Sequence, residues 1–182
     1  MGYKHDLINR IKNSNKWPSF GRPNFLNDLD EMATDACEKD TIEGYLAALL
    51  IYHQLCEEVV RLLLKDAQFY IQLAVFPAEI TFSDKPKSMF GSLLENLDAT
   101  ITFKGKDEFI AKCNKLNKIR IEFVHGLTKC MSLSDIRNNL ADIKELYDQI
   151  YTIFDQAHDH FCLCFKDFKK DIDWEDYLPD ND

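Results

Sequence analysis

Arg120 and His125 are the two side chains whose types and spacing point most directly to chemistry. An imidazole exchanges protons near neutral pH, and a guanidinium carries a permanent charge with a planar fork of donors for an anion. Phe109, Cys113, Leu116, Arg120 and Phe123 recur at spacings of three and four, which gives one apolar helical face that the guanidinium interrupts. Desolvating such a charge without a partner is expensive. Arg120 must therefore meet a carboxylate, line a water-filled cleft or await an anion such as phosphate. Glu57 falls in a stripe with Leu50, His53, Val60 and Leu64 and is expected to point inward, whereas Glu58 borders the polar face of Gln54, Arg61 and Lys65. His53, one turn before Glu57, reads first as a satisfied core histidine and second as a residue lining the cleft.

Other groupings are weaker. His158, His160, Cys162 and Cys164 have metal-binding side chains, but on a continuous helix the first and third share one side and the second and fourth another. Tetrahedral coordination of one zinc by all four is excluded without breaking the helix. Cys162 and Phe161 in the core beside exposed histidines is the expectation, with no metal site. Gly21-Arg22-Pro23 and Gly105-Lys106 lack the frame of a phosphate-binding loop. No Ser, His and Asp set is identifiable, and no cofactor is expected.

The elements that must position these groups are helices. With 182 residues and 46% hydrophobic content, the chain has the length and apolar surface of a single domain with appendages. A first short helix is expected from His5 to Lys12, then a loop through Trp17-Pro18 and Gly21-Arg22-Pro23. Asn24 is the expected N-cap of a helix carrying Phe25, Leu26, Leu29, Met32 and Cys37. The longest early helix starts at the N-cap Thr41 and ends or bends before Pro77, with Tyr45, Leu49, Tyr52, Cys56, Val59 and Leu63 on its main stripe. A short helix fits Lys87 to Leu97, and another, Asp107 to Val124, carries Arg120, with Gly126 supplying a left-handed residue after its last turn. After a loop through Thr128 to Leu133, a long helix repeats Ile136, Leu140, Ile143, Leu146 or Tyr147, Ile150, Phe154, Ala157 and Phe161. Strands are not expected beyond a short piece at Thr100 to Phe103. The architecture is an all-α, mostly antiparallel bundle. It divides into a helical extension at 1–40, the bundle at 41–165 and an acidic tail at 166–182.

Charge is unevenly spread. The net charge is −9, which by itself argues against a nucleic-acid partner. Asp155 to Asp182 alone carry −6, however, while Lys104 to Arg120 carry +4. The acidic tail, with Trp174 and Tyr177 as anchors, has the charge to mimic RNA in a basic cleft. Six cysteines lie mostly within apolar helical patterns in a chain that opens without a secretory signal, which fits reduced thiols and a cytoplasmic location. The longest apolar runs are broken by Gln54, Glu57 and Glu58, well short of the about 20 residues of a spanning helix, so no membrane insertion is expected.

Leu116-Asn117-Lys118-Ile119-Arg120, followed after four residues by His125-Gly126 near a helix end in an all-α bundle, resembles the HEPN superfamily of helical nucleotide-binding and ribonuclease domains. The likeness extends over about Thr41 to Phe165. It implies a metal-independent endoribonuclease acting as a homodimer, each subunit giving one Arg and one His to a shared cleft. Five residues of helix subtend about 140°, so the two side chains of one motif do not share a face, and a two-fold axis is what brings four together. The resemblance makes Arg120 and His125 catalytic, with Glu57 fixing the guanidinium, and Lys115, Asn117, Lys118 and His53 as substrate-binding residues. RNA is then the partner, and the biological setting is that of a toxin or a defence nuclease. Many active members have a polar residue directly after the arginine, where this chain has Ile121. The other reading is a non-catalytic helical module that binds nucleotide or protein, such as a regulator or an antitoxin-like partner.

Overall fold

Thr41 begins the helix around which the others pack. In the computed structural model, which describes residues 2–82, 89–129 and 132–171, its hydroxyl accepts from the backbone N–H of Gly44 at 3.1 Å and so satisfies one orphan donor of the first turn. The helix runs Ile42–Val75 and stops as expected before Pro77, whose ring and missing N–H forbid another turn. Along the chain the helices are α1 (Gly2–Lys12), α2 (Pro23–Glu38), α3 (Ile42–Val75), α4 (Phe90–Thr100), α5 (Lys106–Gly126), α6 (Leu133–Leu140) and α7 (Ile143–Asp171). Short 3₁₀ turns at Ser14–Lys16 and Leu127–Lys129 complete an all-α bundle with no strand among the described residues.

Side-chain pairs fix the directions of the helices. Ala36 lies against Gly44, and Thr34 meets Tyr52, so α2 runs back along α3. Cys56 faces Cys113, and His53 faces Asn117, so α5 also opposes α3. Tyr52 stacks on Tyr147 and Phe69 on Phe165, in rising order along both helices, so α7 runs parallel to α3. α2 and α5 thus oppose α3, whereas α7 follows it, and so does α4, which has Phe90 against His53 at its start and Ile101, just past its end, beside Tyr70. Leu7, Ile11 and Ala33 from the N-terminal helices join the same buried cluster as Leu63, Leu116 and Phe154.

Where α2 and α3 cross, the backbones touch. A Cβ built on Gly44 would stand 2.2 Å from the carbonyl oxygen of Ala36, a clash no rotamer relieves because the obstacle is backbone. Gly44→Ala is therefore expected to lower stability by about 2 kcal/mol, within the range for overpacking. Chemical denaturation should show a lower midpoint at unchanged slope, and an unaltered midpoint would refute this contact.

Several sequence expectations are corrected. Pro23, not Asn24, opens α2, since proline at the first helical position gives up only an N–H that has no partner there. Phe25 and Met32 are exposed, because α2 approaches α3 through the small residues Ala33 and Ala36. Gly126 stays helical at the end of α5 and leads into the Leu127–Lys129 turn, so no left-handed residue ends that helix. The glycine with positive φ among the described residues is instead Gly105, just before α5. Ile101 to Phe103 continue from α4 without a strand partner. The long last helix is broken at Ala141 and Asp142 into α6 and α7, although Ile136, Leu140, Ile143, Tyr147, Ile150, Phe154, Ala157 and Phe161 are all buried as the repeat requires. The expected helix over Lys87 to Leu97 begins at Phe90, and Lys87, Cys130, Trp174 and Tyr177 lie outside the described residues.

Candidate functional site

The last two turns of α5 carry both motif residues. Leu116 and Phe123 are buried against the bundle, so Arg120 between them is drawn toward the core, yet its position near the helix end leaves it half-buried. Among the described residues it makes no ion pair. His125 is exposed on another face, in an open groove of about 450 Å³ with Ile121, Phe123, Lys129 and Asn139. Arg120 is not part of that lining, so one protomer does not bring the two groups into a common cleft.

Glu57 does not fix Arg120. Its carboxylate, at the edge of the buried stripe, accepts from the Arg61 guanidinium at 2.6 Å, one turn away on α3. An i,i+4 pair on one helix is preassembled, whereas reaching α5 requires crossing a helix interface.

His53 and Asn117 do meet. The imidazole Nε2 donates to the Asn117 side-chain oxygen at 3.0 Å, and the ring lies against Phe90 with centroids 4.9 Å apart. At 5% exposure His53 is a core residue, and its Nδ1 has no hydrogen-bond partner among the described residues. Burial is the main cause that holds its pKa below the ordinary imidazole value; the nearby Arg120 charge pushes the same way, and the Asn117 hydrogen bond opposes both. The neutral ring ties α3 to α5 one turn before Arg120. Lys115 and Lys118 are exposed on α5, with Lys118 loosely paired to Glu122 at 3.9 Å. Lys112 and Lys106 are engaged by Glu108 and Asp98, so part of the basic stretch is neutralised locally.

In comparisons with known proteins, no family model, no curated protein and no solved structure matches this chain. No helix among the described residues is long and apolar enough to cross a membrane.

The groove around His125 mixes the apolar Ile121 and Phe123 with Glu122, Lys129 and Asn139. Ile121, Val124 and Leu127 near the end of α5, and Leu133 at the start of α6, are large apolar side chains between 39% and 69% exposed. A larger cavity of about 710 Å³ lies elsewhere, between Tyr70, Ile101, Phe103, Lys104 and His160, and contains neither motif residue.

One group escaped the sequence reading. Asp66 on α3 is fully buried and accepts at 2.7 Å from His158 Nδ1 on α7. His158 is accordingly half-buried and not exposed as expected, while His160 is exposed. The available signal was the stripe Val59, Leu62, Asp66, Phe69 and Leu73, in which an acid takes a core position. No cluster of three or more possible metal ligands exists among the described residues.

Proposed function

We propose that this protein is a metal-independent endoribonuclease of the HEPN type, acting as a homodimer whose cleft combines Arg120 and His125 with their counterparts in a second copy. The observation that carries this reading is the end of α5: an arginine without a carboxylate partner among the described residues and an exposed imidazole, on a helix end that also exposes Ile121, Val124 and Leu127. A second copy packed through Ile121, Val124 and Leu127 would remove that apolar surface from water and set two arginines and two histidines around one axis. Ile121, which stands where many family members have a polar residue, then serves the contact between subunits.

RNA supplies its own nucleophile. One imidazole takes the proton of the ribose 2′-hydroxyl, whose oxygen attacks the adjacent phosphorus. The guanidinium stabilises the charge that grows on the phosphorane oxygens. Protonation of the departing 5′-oxygen by the partner's His125 leaves a 2′,3′-cyclic phosphate and a 5′-hydroxyl. Exposed Lys115 and Lys118 attract the phosphate backbone, and His53 with Asn117 hold α5 in register beneath the site.

Val124→Asp tests the dependence on association. Wild-type protein should sediment at twice the 21.3 kDa of one chain and cut single-stranded RNA in EDTA, whereas the variant should sediment as a monomer, keep its helical circular dichroism and lose cleavage. A monomeric variant with full activity would contradict the composite site.

A further inference from the structure

We propose that Cys162 is an activated thiol, poised for covalent reaction with small electrophiles and hydroperoxides by His158 and the buried carboxylate of Asp66. The three residues form a chain between α3 and α7. Asp66 Oδ2 accepts from His158 Nδ1 at 2.7 Å, which sets the ring so that Nε2 faces Cys162 Sγ one turn on, at 3.8 Å. Phe154 lies parallel to the ring, with centroids 5.6 Å apart, and keeps its plane. Asp66 is wholly removed from water, and its second oxygen has no hydrogen-bond partner among the described residues, so the carboxylate has His158 as its hydrogen-bonded counterion. An imidazolium held in this way points its Nε2–H at sulfur, where it can stabilise the charge that forms as the thiol reacts.

The surrounding charges agree. From α1, Arg10 acts on Asp66, and His158 is acted on by Asp66 from α3 and Cys162 on its own helix. The hydrogen bond to Asp66 is the largest cause that pushes His158 up to about 10, followed by that with Cys162. The same helix supplies a control. Cys164 is also half-buried, and His160 Nε2 lies 3.8 Å from its sulfur, but no carboxylate pairs with His160 among the described residues, and burial pushes the Cys164 thiol up. The two thiols differ in the carboxylate behind the histidine and in the Asp167 charge, which also pushes the Cys164 thiol up.

With hydrogen peroxide, the Cys162 thiolate attacks one oxygen, the S–O bond forms and the O–O bond breaks. Sulfur is oxidised by two electrons to the sulfenic acid, and the departing hydroxide takes the His158 Nε2 proton to become water. Solvent then returns a proton to the ring.

Full-length wild-type protein treated with iodoacetamide, with each cysteine followed by peptide mass spectrometry, tests the assignment. An ordinary thiol is almost entirely protonated at about pH 6. Cys162 is expected to react at least about tenfold faster than Cys164 at that pH, and the rates should converge above about pH 9, where ordinary thiols ionise. Hydrogen peroxide followed by dimedone should label Cys162 in preference to Cys164. In Asp66→Asn the Cys162 rate at about pH 6 should fall to that of Cys164; if circular dichroism shows that variant unfolded, the wild-type ratio decides alone. Equal rates at about pH 6, or a ratio that does not change with pH and so reflects access alone, would overturn the proposal.

Discussion

His125→Ala and Arg120→Ala are each expected to lower RNA cleavage by a factor of about 10² to 10⁴, the range for removing a general acid–base group or a preorganised charge from a reaction centre. The structure separates this loss from unfolding. His125 is exposed, so truncating it opens no cavity, and Arg120 has no ion pair among the described residues to break. Both variants should keep wild-type helical content and dimer mass. Arg120→Lys should recover only part of the activity, because an ammonium is a point charge without the planar fork. The double variant should be little worse than either single one, as groups that act in one step are not additive. Cleavage rates measured under single-turnover conditions check all four, and full activity in either alanine variant would remove that residue from the mechanism.

The second large effect is on stability. His158→Ala leaves the Asp66 carboxylate buried with neither oxygen hydrogen-bonded, and about 3 kcal/mol of folding stability should be lost, as in other broken buried pairs. Asp66→Asn should cost less, since the amide carries no charge to strand. The pH dependence has a definite sign. Burial raises the Asp66 carboxyl and the Asp66 hydrogen bond raises His158, so in either sharing the folded pair keeps a proton that the unfolded chain gives up. The stability from His158 is fully present below its unfolded value of 6.5 and is lost as pH rises through about 10. Urea midpoints of the wild type should decline across this window more than those of Asp66→Asn. Parallel declines in the two proteins would show that the pair does not hold the proton.

Much of the fold was legible because it follows from local chemistry and helical period. Thr41, Pro77 and the stripe from Tyr45 to Leu63 mark α3 in the sequence, and the buried repeat from Ile136 to Phe161 marks α6 and α7. The break between those two was hidden because Leu140 and Ile143 keep the apolar spacing in phase across it. Gly126 carried a misleading local signal, since a glycine permits a left-handed turn without requiring one. The placement of Arg120 on α5 followed from the apolar face it interrupts, and that of His125 from the end of the same helix. Their partners did not follow, because ion pairs between helices depend on how the helices dock. Glu57 was assigned across the interface to Arg120 although Arg61 stood one turn away, and Asp66 found His158 at a sequence separation of 92.

The most direct measurement is the chemistry of the cut ends. Wild-type protein incubated in EDTA with a single-stranded RNA, and with the same strand carrying one deoxyribose, should give 2′,3′-cyclic phosphate and 5′-hydroxyl ends by mass spectrometry, with no cut at the deoxyribose. Intact RNA at high protein concentration, or 5′-phosphate ends, would contradict a dimeric ribonuclease built on Arg120 and His125.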